Sequence, residues 1–96
     1  MYRVFRVPSA GAQEALLKDD LVSRQSVEVR DAKALGVGGE GTLILVEGAE
    51  AGVARAEALL QGVGRALPGP EAEAVYRRFR SQDDEAASGM GLIFGS

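Results

Sequence analysis

Gly36-Val37-Gly38-Gly39-Glu40-Gly41 satisfies the spacing G-x-G-x-x-G. In that pattern, glycines let a strand–loop–helix unit bring backbone N–H groups and a helix N-terminus up to a pyrophosphate. The chemistry needs a helix after the glycines. Residues 42–46 instead read Thr-Leu-Ile-Leu-Val, a continuous apolar run that predicts a strand. Two readings of the loop remain: a flexible connection between strands, or a backbone nest for a small anion. Arg77 and Arg78, with Arg80 nearby, offer guanidinium groups. Together with Lys33, Arg3 or Arg6 they would line a basic patch for phosphate or an acidic partner. The competing reading is a solvated helix face among Glu73, Asp84 and Glu85. The candidate ligand or anion site is thus Gly36, Gly38, Gly39, Gly41, Arg77 and Arg78.

Other chemistries have less material. The chain contains no histidine and no cysteine, which removes imidazole proton shuttles, thiol nucleophiles, disulfides and soft-metal ligation. Asp19-Asp20 and Asp83-Asp84-Glu85 carry oxygen ligands, but adjacent helical residues point in different directions, and calcium needs six to eight oxygens from a spaced loop. They read as solvated charge, and no metal site or cofactor is expected. An enzyme would have to use carboxylates, Lys33 or Tyr76. It stands third, behind a binding or self-associating module and a small-molecule sensor. Gly36 to Gly39 also spells G-x-x-G, the clamp pattern of KH RNA-binding domains. That clamp lies between two helices, whereas this loop leads into a strand. The net charge of −3 argues against a polyanion partner as well.

The elements that must position these groups follow from hydrophobic period. Tyr2–Val7 carries Val4, Phe5 and Val7 and predicts a strand, stopped by Pro8. Ser9 is the expected N-cap of a short helix holding Ala12, Ala15 and Leu16. Residues 23–30 alternate, with Val27 and Val29 on one face and Ser26, Glu28 and Arg30 on the other, which predicts a strand with one wet face. Residues 31–35 fit either a bulge or a turn. Val53, Ala56, Leu60, Val63 and Leu67 recur every three or four residues and predict an amphipathic helix of about four turns. Gly62 and Gly64 weaken it, marking either close backbone contact or a loosened helix. Pro68-Gly69-Pro70 breaks the chain. A further helix then presents Ala72, Val75, Tyr76, Phe79 and Ala86, with Gly89 as its stop. Gly91, Leu92, Ile93 and Phe94 predict a terminal strand.

The 96 residues are enough for one domain. The order of elements predicts an α+β two-layer sandwich, ferredoxin-like βαββαβ with an extra helix before the last strand. The sheet order would be 4-1-3-2, with the first and third strands central and the helices on one face. The expected role is a small non-catalytic binding or self-associating module, a homo-oligomer through its edge strands, with Gly91, Leu92, Ile93 and Phe94 as interface residues. A protein partner fits equally, and the alternative is a small-molecule or anion sensor. No segment has a signal peptide's apolar core or the length to span a bilayer, so a cytoplasmic location is expected.

Overall fold

A computed structural model describes the backbone of residues 1–8 and 10–95 and the side chains of residues 1–8 and 11–82. The fold is α+β. Strands β1 (Tyr2–Val7), β2 (Ser26–Asp31), β3 (Thr42–Glu47) and β4 (Arg65–Ala66) form one antiparallel sheet in the order β2-β3-β1-β4. Between them lie a 3-10 turn (Ala10–Ala12) and the helices α1 (Gln13–Leu17), α2 (Asp20–Ser23), α3 (Ala32–Leu35) and α4 (Glu50–Leu60), and α5 (Gly69–Gly95) follows β4. Ser9, the expected N-cap, lies outside the described residues. No helix among the described residues is long and apolar enough to cross a membrane.

The interior strands are β1 and β3. Leu43, Ile44, Leu45 and Val46 are all buried, which requires cover on both faces of the sheet. The helices supply it from two sides. Ile44 and Val46 pack with Phe5 and Val7 against Leu16 of α1, Val22 of α2 and Val53, Ala56 and Leu60 of α4. Leu43 and Leu45 pack with Val4 against Leu35 of α3 and Ala72, Val75 and Phe79 of α5. The expected two-layer arrangement, with helices on one face, is thereby corrected: the sheet is the middle of three layers.

The fourth strand is also corrected. Arg65–Ala66 pairs with β1, placing Ala66 opposite Phe5 and Arg65 opposite Arg6, and the Leu67 N–H donates to the Val4 carbonyl at 2.9 Å. The outer edge of β1 is therefore taken. Gly91, Leu92, Ile93 and Phe94 fall within the span of α5 and form no strand. The helix also runs past Gly89, the expected stop. The side chains of these residues, and of Asp83, Asp84, Glu85 and Ala86, lie outside those described.

Helix α4 ends earlier than its apolar stripe. Gln61 has φ −58° and ψ 130°, Gly62 has φ +80°, and the Val63 N–H donates to the Leu60 carbonyl at 3.0 Å. This is a type II turn, whose third residue favours glycine. Gly64 has a different task. A Cβ there would stand 2.5 Å from Val7 Cγ1 and 2.6 Å from the Arg6 carbonyl oxygen, so glycine lets the chain run beside β1 into β4. The stripe is split as a result: Leu60 is buried under one face, Val63 is 48% exposed, and Leu67 is buried against the other face.

Candidate functional site: the glycine loop and the paired arginines

Helix α3 and β3 bracket the glycine loop, residues 36–41. Gly36 closes α3 in the left-handed region at φ +72°, a conformation that costs glycine least. Gly41 has φ +91°, and a Cβ on it would lie 2.4 Å from the Val7 carbonyl oxygen. At Gly41 the loop thus passes against the end of β1 because that residue lacks a side chain. It leads directly into β3 and not into a helix, which leaves the dinucleotide reading without its structural context.

The carbonyls of this loop turn toward a cation. Arg6 donates from Nη2 to the Gly38 carbonyl and from Nη1 to the Glu40 carbonyl, each at 2.9 Å. A Cβ on Gly39 would meet the same guanidinium at 2.8 Å. The loop therefore grips Arg6 with oxygens. The nest reading assigned it the opposite polarity, with backbone N–H groups facing an anion.

Arg65 stands beside Arg6, directly across the β1–β4 ladder. The two line a cleft of about 440 Å³ together with Val7, Pro8, Val63 and Gly64, with Glu40 and Gly41 on its loop side. They also line a second cleft of about 490 Å³, toward Val37, Glu71 and Val75. Like charges at directly opposed positions repel. The Glu71 carboxylate relieves this only from 4.0 Å. A third hollow of about 290 Å³ lies on the far side of the loop, between Lys33, Asp31 and Glu40.

Arg77 and Arg78 do not join this site. Arg77 donates to Glu73 one helical turn earlier, at 2.7 Å. Arg78 donates from Nε to the Leu35 carbonyl at 2.8 Å, and its guanidinium lies over Gly36. It closes the C-terminal end of α3, a common use of a cation there. Arg65 was missed because the sequence places it inside a supposed helix. The signal that reveals it is Gly64, which frees the chain to pair beside Arg6.

Tyr76 and Arg80 dock α5 onto the sheet. The Tyr76 ring stacks on Tyr2 with centroids 4.1 Å apart, and its hydroxyl donates to Glu47 at 2.8 Å. Arg80 lies over the Tyr76 ring at 4.9 Å and pairs with Glu47 and, at 3.4 Å, with Glu28. Hydrogen bonding with Tyr76, then the charges of Glu47 and Glu28, raise the Arg80 pKa above its ordinary value against the cost of desolvation. These residues belong to the α5–sheet contact. No cluster of three acids that could hold a metal ion occurs among the described residues. Compared with known proteins, the chain matches no family model, no curated protein and no solved structure.

Proposed function

We propose that this chain is a non-catalytic binding module that takes a small phosphate- or carboxylate-bearing molecule in the cleft between the glycine loop and Arg6 and Arg65. The observation that carries the reading is the opposed arginine pair at a cleft wall. Two guanidinium groups at one cross-strand position cost stability, Glu71 offsets this only from 4.0 Å, and a bound anion would supply a nearer counter-charge. Arg6 is already oriented by two carbonyls, which leaves N–H groups of its fork for the ligand. Val7, Pro8 and Val63 give the cleft an apolar wall for the uncharged part of the molecule. Its volume suits a metabolite-sized ligand. The chemistry that meets there is recognition chemistry: fixed donors, an apolar wall and a shaped opening.

The same proposal includes a ferredoxin-like βαββαβ core. It is supported by the strand sequence read from β4, which runs 4-1-3-2, and by the antiparallel pairing throughout. The two-residue β4 and the helix that follows it depart from the pattern. In this view α5 covers the sheet face that a two-layer domain would leave open.

The experiment is a thermal-shift series with inorganic phosphate, pyrophosphate and citrate at matched ionic strength. A ligand at one hundred times its dissociation constant adds about 2.7 kcal/mol to stability, so a saturable rise in Tm is expected, and Arg65→Ala should abolish it. A flat response to all three anions, or an equal rise in the variant, overturns the reading.

A further inference from the structure

We propose that β2 is a self-pairing edge, through which two copies of this chain join their sheets antiparallel about a two-fold axis at Val29. Strand β2 ends the sheet and pairs with β3 alone among the described residues. It keeps its full six residues, whereas the opposite edge, β4, has only two. A long edge strand presents a row of backbone groups that a second strand can meet.

The phase of that row follows from the ladder. The Ala32 N–H donates to the Gly41 carbonyl at 3.1 Å. Positions 32 and 41 continue the β2–β3 register, so residues 26, 28 and 30 exchange hydrogen bonds with β3. The backbone groups of Val27, Val29 and Asp31 therefore point outward, since the two kinds of position alternate. A second β2 paired about Val29 would exchange both Val29 hydrogen bonds with its counterpart.

The side chains then match. This register sets Glu28 opposite Arg30 of the second copy, and Arg30 opposite its Glu28, giving two opposite-charge pairs on the α5 face. Both occupy non-hydrogen-bonded positions, where facing side chains lie closest. On the other face Val29 meets Val29. Asp31 falls opposite Val27 at the ends of the contact, and Asp31 is exposed to water. Charge complementarity thus selects a second copy of this chain as the occupant. In the single chain, Arg30 folds its Nη1 onto the Val29 carbonyl at 2.9 Å, holding the place that the second copy's N–H takes. Glu28 already pairs with Arg80, and that pair persists beside the new one.

The inference is independent of the anion cleft, which lies at the β4 side of the sheet. Its test is sedimentation equilibrium of the full chain from about 10 µM to about 1 mM, the range suited to a small interface. The wild type should show a reversible monomer–dimer equilibrium. Arg30→Glu turns both attractive pairs repulsive and should weaken it roughly tenfold or more. Val29→Pro deletes an outward N–H without touching a β3 bond and should give monomers with an unchanged far-ultraviolet circular dichroism spectrum. A wild type that remains a single chain throughout overturns the inference. So does an Arg30→Glu variant that associates as tightly as the wild type. If Val29→Pro unfolds, the Arg30→Glu result decides alone.

Discussion

Arg6 and Arg65 face each other at directly paired positions of β1 and β4, and both line the same two clefts. Repulsion at such a position is a stability cost, and its removal is measurable without any ligand. Arg65→Ser, which keeps the backbone pairing, is expected to hold stability constant or raise it by a few tenths of a kcal/mol, read by urea denaturation. Its anion response should vanish at the same time. A site in which one change stabilises the empty protein and abolishes ligand stabilisation has traded stability for binding.

Gly41 and Gly62 both have positive φ, but their surroundings differ. At Gly41 a Cβ meets the Val7 carbonyl oxygen, and at Gly62 it meets nothing within 4 Å. Gly62→Ala should cost about 1 kcal/mol, the strain of the left-handed region alone. Gly41→Ala should cost more, about 2–3 kcal/mol, because the loop must also move away from β1. Equal losses in chemical denaturation would show that the loop does not press on β1.

The α5 layer rests on Phe79, 1% exposed, and on the polar set around Tyr76. Phe79→Ala should cost about 3–5 kcal/mol through lost burial and the cavity left behind. Tyr76→Phe keeps the stack on Tyr2 and removes the hydroxyl's hydrogen bonding with Glu47 and Arg80, so about 1–3 kcal/mol is expected. On the opposite face, Leu60→Ala should cost about 2–5 kcal/mol. Comparable large losses at Phe79 and Leu60 would establish that both faces of the sheet are covered.

Asp19 supplies a pH dependence. Its side chain accepts a hydrogen bond from Arg55 at 2.9 Å and two from the N–H groups of Leu21 and Val22 at 3.1 Å, and so caps α2. The Arg55 hydrogen bond first, then the Val22 N–H, lower its pKa below the ordinary 3.8. The unfolded chain therefore binds more protons as pH falls below that value. The stabilisation is present above about pH 4 and is lost as pH drops through the folded-state value. Asp19→Asn should flatten the acid limb of the stability curve, measured by thermal melts between pH 2 and 6.

Much of the fold is legible in the residues. Four consecutive buried side chains in β3 require an interior strand, and the alternation in β2 fits its place at the rim. The run of residues 53–67 is where reading by period fails. Its apolar spacing continues through a turn that leaves Val63 exposed, and Leu67 is buried by the opposite face of the sheet, so a period marks apolar residues without showing which layer, if any, buries each one. The terminal segment fails for a related reason. Gly91, Leu92, Ile93 and Phe94 have strand-like composition, but the edge they would need on β1 is already held by Arg65–Ala66, a strand too short to have a period of its own. The glycine loop was visible at once. Its polarity was not, since its carbonyl oxygens point at Arg6 through a contact 32 to 34 residues away in sequence.

The most direct measurement is a titration of the ¹⁵N-labelled chain with pyrophosphate, followed through the amide signals of Gly38, Gly39, Gly41, Val63 and Gly64 and the Nε signals of Arg6 and Arg65. Saturable shifts concentrated on those groups, and lost in Arg65→Ala, are the predicted result. Shifts that never saturate, or that gather instead around Arg77 and Lys33, would contradict the assignment of the site.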